Sequence, residues 1–329
     1  MFTFESLPTA YSGRGTQRDL KGRKRLFYTE ERRYCKNFRR GVSWTSAMFT
    51  LEVDTTTTTT TPPTTTTTTT TTPPSSTATA AATASYALSA DGTLQLRRDD
   101  QPSTTMELAD GSAVRVRALP VCGRDHCLAL GLAGEVLSWA TRRNGHRLGQ
   151  LGRTDAEKAL FAPRQVELPD GAKAASVAAG ELHSAVIDER RRLWVFGSDR
   201  WLQLGQNVLW QRGAVWQRRP VRVGGALADE AVVDVACGGD HTLALDERGQ
   251  VWAWGTGQHG QLFGASERPF TAPPTVSRAL TGGSGAAAVA ATASCSCARR
   301  RAGGVACSGR CSERETQLLR CRMGLEALQ

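Results

Sequence analysis

The chain has 329 residues, 40% of them hydrophobic and 22% charged, with a formal net charge of +10. No apolar stretch reaches the roughly 18 residues of a membrane-spanning helix, and the N-terminus lacks the layout of a secretory signal, so we expect neither a membrane protein nor a secreted one. The nine cysteines show no regular pairing pattern, which predicts free thiols in a reducing compartment.

The positive charge is concentrated near the two ends of the chain. Residues 1–54 contain 11 Lys and Arg against 6 Asp and Glu, and residues 295–329 contain 7 against 3. The part between them is almost neutral, with 23 basic and 22 acidic residues. A basic patch favours contact with nucleic acid, so one hypothesis is that residues 1–54 bind nucleic acid weakly.

Residues 1–54 show no sustained helical or strand periodicity, and we expect a disordered basic arm. Two alternatives are an organelle transit peptide and a nuclear-import patch at residues 21–25. Residues 55–83 are a low-complexity linker rich in Thr, Pro and Ala. Such a composition has too little to bury to offset the entropy lost on ordering.

From residue 84 onward, a set of landmarks recurs at intervals of 57 and 58 residues. Each complete copy has a Gly, a His three residues later, an aromatic residue thirteen after the His, and then a Gln-Leu pair. The landmarks are Gly123, His126, Trp139 and Gln150-Leu151; Gly180, His183, Phe196 and Gln203-Leu204; Gly238, His241, Trp254 and Gln261-Leu262. A fixed period indicates a repeat architecture, and we expect the repeated residues to be structural.

Each unit is predicted to be an antiparallel meander of four short strands. The best units are residues 118–166, 174–223 and 231–276, and two decayed units are residues 84–117 and 288–320. Four strands in roughly 50 residues is the proportion of a propeller blade. Residues 84–329 are therefore predicted to be all-β, a partial or incomplete β-propeller of about four to five blade-like, four-stranded units.

The unit, matched most fully from Gly238 to Leu262, resembles the repeat of the regulator of chromosome condensation family, whose superfamily includes β-lactamase-inhibitor protein II. The resemblance covers roughly residues 84–320 and implies a propeller, usually of seven blades, whereas this chain has too few units for seven. One role in that family is guanine-nucleotide exchange on a small GTPase, with chromatin binding. No exchange-specific motif is matched here. The family's ultraviolet-B photoreceptors carry G-W-R-H, and no Trp precedes His126, His183 or His241, which disfavours light sensing.

Three motifs have a chemical interpretation that competes with a structural one. Residues 255–260 match G-x-G-x-x-G, but no helix is predicted after them to meet a pyrophosphate, so we interpret them as a turn. The three histidines could be zinc ligands by type, but each occupies the same place in a different unit. Cys295, Cys297, Cys307 and Cys311 could hold zinc as four thiolates, or could be positions in a decayed unit. We predict no metal site and no cofactor.

The connecting loop of the unit 174–223 is the feature that the repeat does not need. It is longer than its counterparts and adds tryptophans and arginines, which anchor protein interfaces more often than other residues do. The candidate partner-binding residues are Arg200, Trp201, Trp210, Arg212, Trp216, Arg218 and Arg219. The alternative is that the tryptophans fold back onto their own unit.

These observations predict a non-enzymatic scaffold for protein–protein interaction, with a protein partner that the resemblance implies to be a small GTPase. The alternative function is association with chromatin or nucleic acid through the basic arm. The predicted location is intracellular, in the cytoplasm or nucleus.

Overall fold

The computed structural model describes residues 16–18, 24–26, 84–98, 101–154, 160–206, 216–265, 270–277, 280 and 285–325. The chain divides into two units, Met1–Thr45 and Ser46–Gln329. In the first unit, β1 (Thr16–Arg18) and β2 (Lys24–Leu26) form an antiparallel pair. The rest of the predicted basic arm at residues 1–54 lies outside the described residues. The predicted linker at residues 55–83 lies outside the described residues.

The described part of the second unit contains five antiparallel sheets in chain order. Sheets 2, 3 and 4 each have four strands that pair in sequence order. Sheet 2 comprises β6 (Val121–Cys122), β7 (His126–Leu130), β8 (Val136–Ala140) and β9 (Arg164–Val166). Sheet 3 comprises β10 (Ala174–Ala179), β11 (His183–Asp188), β12 (Leu193–Ser198) and β13 (Trp216–Arg222). Sheet 4 comprises β14 (Val232–Cys237), β15 (His241–Asp246), β16 (Val251–Thr256) and β17 (Phe270–Val276).

Sheets 1 and 5 have three strands each. Sheet 1 comprises β3 (Ala84–Leu88), β4 (Leu94–Arg98) and β5 (Gln101–Thr105). Sheet 5 comprises β18 (Ala286–Ala291), β19 (Cys295–Arg300) and β20 (Val305–Gly309). The sequence predicted four strands in every unit, and after β20 the chain instead forms the helix α1 (Glu313–Arg322). Ser312 and Glu315 close a capping box at its N-terminus, which satisfies two backbone donors that a helix leaves free.

The core is formed where neighbouring sheets pack against each other. One buried cluster joins sheets 1 and 2, a second joins sheets 2 and 3, a third joins sheets 3 and 4, and a fourth joins sheets 4 and 5. The inner strands are covered on both faces, and every residue of β11, β12 and β15 is buried. Such strands need apolar residues on both faces, which explains why their sequences do not alternate.

The landmark aromatic residues pack backwards onto the preceding sheet. Trp139 and Trp254 are no more than 2% exposed, and Phe196 has no exposed surface. The indole nitrogen of Trp139 donates to the Tyr86 hydroxyl in sheet 1 at 2.9 Å, and that of Trp254 donates to the Gln203 carbonyl at 2.8 Å. Each aromatic therefore supplies apolar area at the contact between two sheets, and the two tryptophans add a satisfied indole N–H.

An aspartate closes the turn between the second and third strands of sheets 3 and 4. The carboxylate of Asp246 accepts from the Trp252 indole at 2.9 Å and from the Gln250 backbone at 2.8 Å. Asp188 does the same for Trp194, at 2.9 Å. The repeated Asp thus fixes the turn and the orientation of a buried Trp together, since a buried indole N–H needs an acceptor.

Disulfides overturn the prediction of free thiols. Three pairs are bonded in the described part of the chain, Cys122–Cys127, Cys295–Cys311 and Cys297–Cys307. Two of them join residues that face each other across antiparallel strands, where Cβ atoms lie close enough to bond. Cys237 and Cys321 are free thiols. The sequence showed no regular pairing because the register of the strands decides which cysteines meet. The spacing of cysteines along the chain does not reveal that register.

Candidate functional site

The three landmark histidines join each sheet to the next one. His126, His183 and His241 have no exposed surface. Their Nε2 atoms lie 2.9, 2.9 and 2.8 Å from the hydroxyl oxygens of Ser184, Thr242 and Ser296, each in the following sheet. Ser184 and Thr242 donate their own protons to the carbonyls of Gln150 and Gln203. These hydroxyls must therefore accept from Nε2–H, which assigns the tautomer of His126 and His183.

Burial keeps these imidazoles neutral. It lowers the pKa of His126 and His183 to about 3 and that of His241 to about 4. The rings belong to different sheets, and among the described residues no group of three or more His, Cys, Asp or Glu is arranged to hold a metal ion. Their geometry is that of hydrogen-bonded links between sheets.

Each landmark glycine makes room for the histidine that follows it. A Cβ atom built on Gly123, Gly180 or Gly238 would overlap the imidazole three residues later. The backbone of these loops is also bonded from sheet to sheet. The amide of Arg124 donates to the Glu181 carbonyl at 3.3 Å, and that of Glu181 donates to the Gly238 carbonyl at 3.2 Å. The loops consequently form a continuous rim.

Strand register places this rim beside a second set of loops. In sheet 3, His183 pairs with Gly197, and Ser198 pairs with Trp216. The loop before the His and the connection from the third to the fourth strand therefore leave the sheet at the same end. We call this end of sheets 2 to 4 the loop face, formed by residues 123–126, 141–153, 180–183, 199–206, 238–241 and 257–265 with Trp216 and Phe270.

The rim of the loop face carries linked charges. Arg124 lies 3.3 Å from Asp125 and 3.7 Å from Glu181, and Arg142 lies 3.5 Å from Asp125. The Gln203 side-chain amide donates to Asp240 at 3.2 Å. The sequence pattern did not single out Arg124, Asp125, Glu181 and Asp240 as functional candidates. The signal that could have found them is that they fill the two variable positions between repeated Gly and His.

Burial changes the acidity of this rim. It raises the pKa of Asp199 to about 7, although the Leu204 amide that donates to Asp199 acts in the opposite direction. Burial also raises the pKa of Asp240 to about 7, with the Glu181 carboxylate acting in the same direction. The pKa of Glu181 is raised by burial as well. The loop face therefore becomes less negative as the pH falls through 7.

The structure separates the candidate residues of the long loop. Trp201 is partly buried and stacks on Phe270 of sheet 4, with ring centroids 5.1 Å apart and an interplanar angle of 15°. The Arg200 guanidinium lies over the Trp201 ring at 5.5 Å. Trp216 is 41% exposed at the start of β13, and Arg218 and Arg219 on the same strand are exposed. Trp210 and Arg212 lie outside the described residues.

Two motifs with competing chemical interpretations have a structural place. Residues 255–260 comprise the end of β16 and the turn after it, and no helix begins in the described residues 261–265. Cys295, Cys297, Cys307 and Cys311 are bonded as two disulfides, so these four sulfurs are not thiolates that could hold zinc. No helix of the described residues is long and apolar enough to cross a membrane.

Comparison with protein families gives two matches to the regulator of chromosome condensation (RCC1) repeat, at residues 192–245 and 232–261. The chain is 35% identical over 176 residues to the human E3 ubiquitin-protein ligase HERC2, 34% over 149 residues to the ultraviolet-B receptor UVR8 of Arabidopsis thaliana, and 35% over 150 residues to the X-linked retinitis pigmentosa GTPase regulator homolog of Caenorhabditis elegans. These alignments cover 53%, 45% and 45% of this chain and only 3%, 31% and 10% of the relatives.

Two solved structures share the fold. Human WBSCR16 superposes with a TM-score of 0.56 at 22% identity, over 69% of this chain and 59% of that protein. Prp20p of Saccharomyces cerevisiae superposes with a TM-score of 0.51 at 20% identity, over 69% of this chain and 56% of that one. The five sheets and their repeated residues are consistent with the family matches and with these two superpositions. The chain carries repeats of the regulator of chromosome condensation family, folded as the blades of a partial β-propeller.

Proposed function

We propose that the chain is a non-enzymatic scaffold that binds a protein partner on its loop face. The observation that carries the proposal is the contrast among aromatic residues in the described repeats. Trp139, Phe196 and Trp254 are buried at repeated positions, whereas Trp216 is 41% exposed at the start of β13. An exposed Trp beside arginines is the composition of an interface anchor.

The neighbourhood of Trp216 supports this proposal. Arg200, Trp201 and Phe270 form a stack at the same end of sheets 3 and 4, so part of the loop is held in place before a partner arrives. A preorganised surface loses less side-chain entropy on binding. The charged rim of Arg124, Glu181 and Asp240 borders the same face and supplies groups that can discriminate between partners by charge.

The partner class that we propose is a small GTPase, with release of its guanine nucleotide as the regulated step. Two relatives support this class. One bears the name of a GTPase regulator homolog, and Prp20p is described together with its binding properties to Gsp1p and histones. We also propose a location in the cytoplasm or nucleus, for which the cysteines give no support, because six of them are paired.

The test is release of a fluorescent guanine nucleotide from a panel of small GTPases, with binding measured in parallel. We expect faster release for one of them, and a Trp210→Ala, Trp216→Ala double variant that binds it roughly 30-fold more weakly. Leu132→Ala is the matched control, since Leu132 is 47% exposed at the turn after β7, on the opposite end of sheet 2. A double variant that binds normally but unfolds several degrees earlier would contradict the proposal.

A second candidate function is association with chromatin or nucleic acid. The observation that favours it is the surplus of 11 basic over 6 acidic residues in residues 1–54. It differs from the first proposal in the part of the chain that binds and in its dependence on salt, because contacts to phosphates release counterions.

A further inference from the structure

Sheet 5 lacks the histidine by which sheets 2, 3 and 4 each form a hydrogen bond to the following sheet. In sheet 4 the first residue of the second strand is His241, which pairs with Gly255. In sheet 5 the same register position is Cys295, which pairs with Gly309. Cys295 has no exposed surface and is bonded to Cys311, which immediately precedes the N-cap of α1. A covalent bond to the chain's own helix segment thus replaces the hydrogen bond to a following sheet.

The helix α1 lies on the face of sheet 5 that corresponds to the packing face of sheet 4. In sheet 4, Ala236 pairs with Leu243, and both pack against sheet 5. The equivalent pair in sheet 5 is Ala290 with Cys297. This pair packs against Leu319 and Met323, at the end of α1 and just after it. The helix therefore occupies the surface on which a further blade would pack.

Side-chain contacts other than the disulfide also hold α1 in place. The Thr292 hydroxyl donates to Glu315 at 2.8 Å, and the Arg322 guanidinium donates to the Ala291 carbonyl at 3.4 Å. Leu319 is the one fully buried side chain of this ten-residue helix. A helix of this length is only marginally stable in water by itself. The bond between Cys295 and Cys311 limits how far the helix can depart and lowers the entropy of the detached state.

We propose that α1 is a redox-controlled cap of the blade array, latched by the Cys295–Cys311 disulfide. With the disulfide formed, α1 covers the apolar face of sheet 5. With the disulfide reduced, α1 detaches and exposes Ala290 and Cys297. The helix substitutes for the blade that a closed ring would supply, and its attachment depends on the thiol–disulfide balance of the surroundings.

The reductant is a dithiol, and the reaction is thiol–disulfide exchange. Cys311 is partly exposed whereas Cys295 is buried, so the thiolate of the reductant attacks Cys311 Sγ and Cys295 leaves as a thiolate that takes up a proton. The second thiol of the reductant then attacks its own sulfur in the mixed disulfide and releases Cys311, which is also protonated. The protein gains two electrons and two protons, and the dithiol becomes a disulfide.

The test is hydrogen exchange of the full chain, with and without dithiothreitol, resolved at α1 and at β15. We expect the α1 amides to exchange at least about tenfold faster after reduction while the β15 amides stay protected. A Cys295→Ala, Cys311→Ala variant should show fast α1 exchange without reductant. The matched Cys122→Ala, Cys127→Ala variant, which removes the disulfide of sheet 2 and leaves the surface under α1 intact, should keep α1 slow until reductant is added.

The proposal is overturned if α1 exchanges equally in the oxidised and reduced chain while β15 is protected. It is also overturned if Cys295 and Cys311 react with iodoacetamide in the unreduced, denatured chain, because no disulfide would then exist. Should the Cys295→Ala, Cys311→Ala variant lose protection at β15 through misfolding, the comparison of the wild-type chain with and without reductant still decides the question.

Discussion

At the scale of single residues, the repeated positions divide the contact between blades into two directions. The aromatic residue reaches back to the preceding blade, as Trp139 does to Tyr86. The histidine reaches forward to the next blade, as His126 does to Ser184. Both kinds of side chain are buried, and Trp139, Trp254 and the three histidines each make a hydrogen bond to the neighbouring blade. Substituting either one tests the contact on one side of a blade.

Trp254→Ala removes the aromatic residue with which sheet 4 packs against sheet 3. Its ring has no exposed surface and its indole nitrogen is bonded to Gln203. We expect the free energy of unfolding to fall by roughly 3–5 kcal/mol in denaturant titrations, as for other large aromatic truncations in cores. Trp216→Ala is the control and should cost less than about 1 kcal/mol, because Trp216 is partly exposed. A loss below about 1 kcal/mol for Trp254→Ala would refute the core packing.

His241→Gln tests the neutral state of the buried histidines. The pKa of His241 is lowered to about 4 by burial, whereas an unfolded histidine titrates near 6.5. Between pH 7 and pH 5 the unfolded chain takes up a proton that the native ring does not. Stability therefore falls with falling pH, by roughly 1–2 kcal/mol for each such histidine.

The variant should lose that contribution, so the measurement is the difference in free energy of unfolding between wild type and His241→Gln at pH 7 and at pH 5. The comparison with wild type is necessary because Asp199 and Asp240 titrate with the opposite sign. Their pKa values are raised to about 7, so their share of stability grows as the pH falls. Equal pH dependence in both proteins would show that His241 has the same pKa in the native and unfolded chains, so that burial does not lower it.

At the scale of the element, the Asp that follows the second strand is the closing group of its hairpin. Asp246→Ala removes an acceptor from the buried Trp252 indole and from the Gln250 amide. We expect a loss of roughly 1–3 kcal/mol, the cost of leaving buried donors unsatisfied. Asp91 closes the exposed hairpin of sheet 1 through Ser89 and Thr93, and Asp91→Ala should cost clearly less because water replaces it. Equal losses in thermal unfolding would contradict this account.

The sequence predicted the all-β fold and its blades because each landmark residue has the same structural role in every unit, so the landmarks recur with the period. It did not predict α1. The capping box of Ser312 and Glu315 was present, but only Leu319 and Met323 mark a buried face, and two residues make no helical period. The stacking of Trp201 on Phe270 was also beyond it, because the partner ring belongs to the next sheet. The sequence alone could not show that Trp201 is stacked on a neighbouring ring whereas Trp216 is exposed.

At the scale of the whole molecule, stability is a sum of blade interfaces. Each sheet packs on its neighbours in the chain, from sheet 1 to sheet 5 and α1. In arrays of this kind, the units at the ends have only one neighbour and depend on caps. Residues 55–294, which include sheets 1 to 4, carry almost equal numbers of acidic and basic residues, so their charge does not by itself attract nucleic acid.

The two candidate functions place the binding residues in different parts of the chain, the basic residues 1–54 or the loop face. If residues 1–54 bind nucleic acid, the logarithm of the affinity for a short DNA duplex should fall linearly with the logarithm of the salt concentration, since each neutralised phosphate releases counterions. A chain that begins at residue 84 should lose this binding while its thermal unfolding is unchanged. The Trp210→Ala, Trp216→Ala variant should bind the duplex as the wild type does, because the basic arm is intact. If the shortened chain keeps salt-dependent binding, the contact belongs to the repeats or to residues 295–329, and the arm has another role.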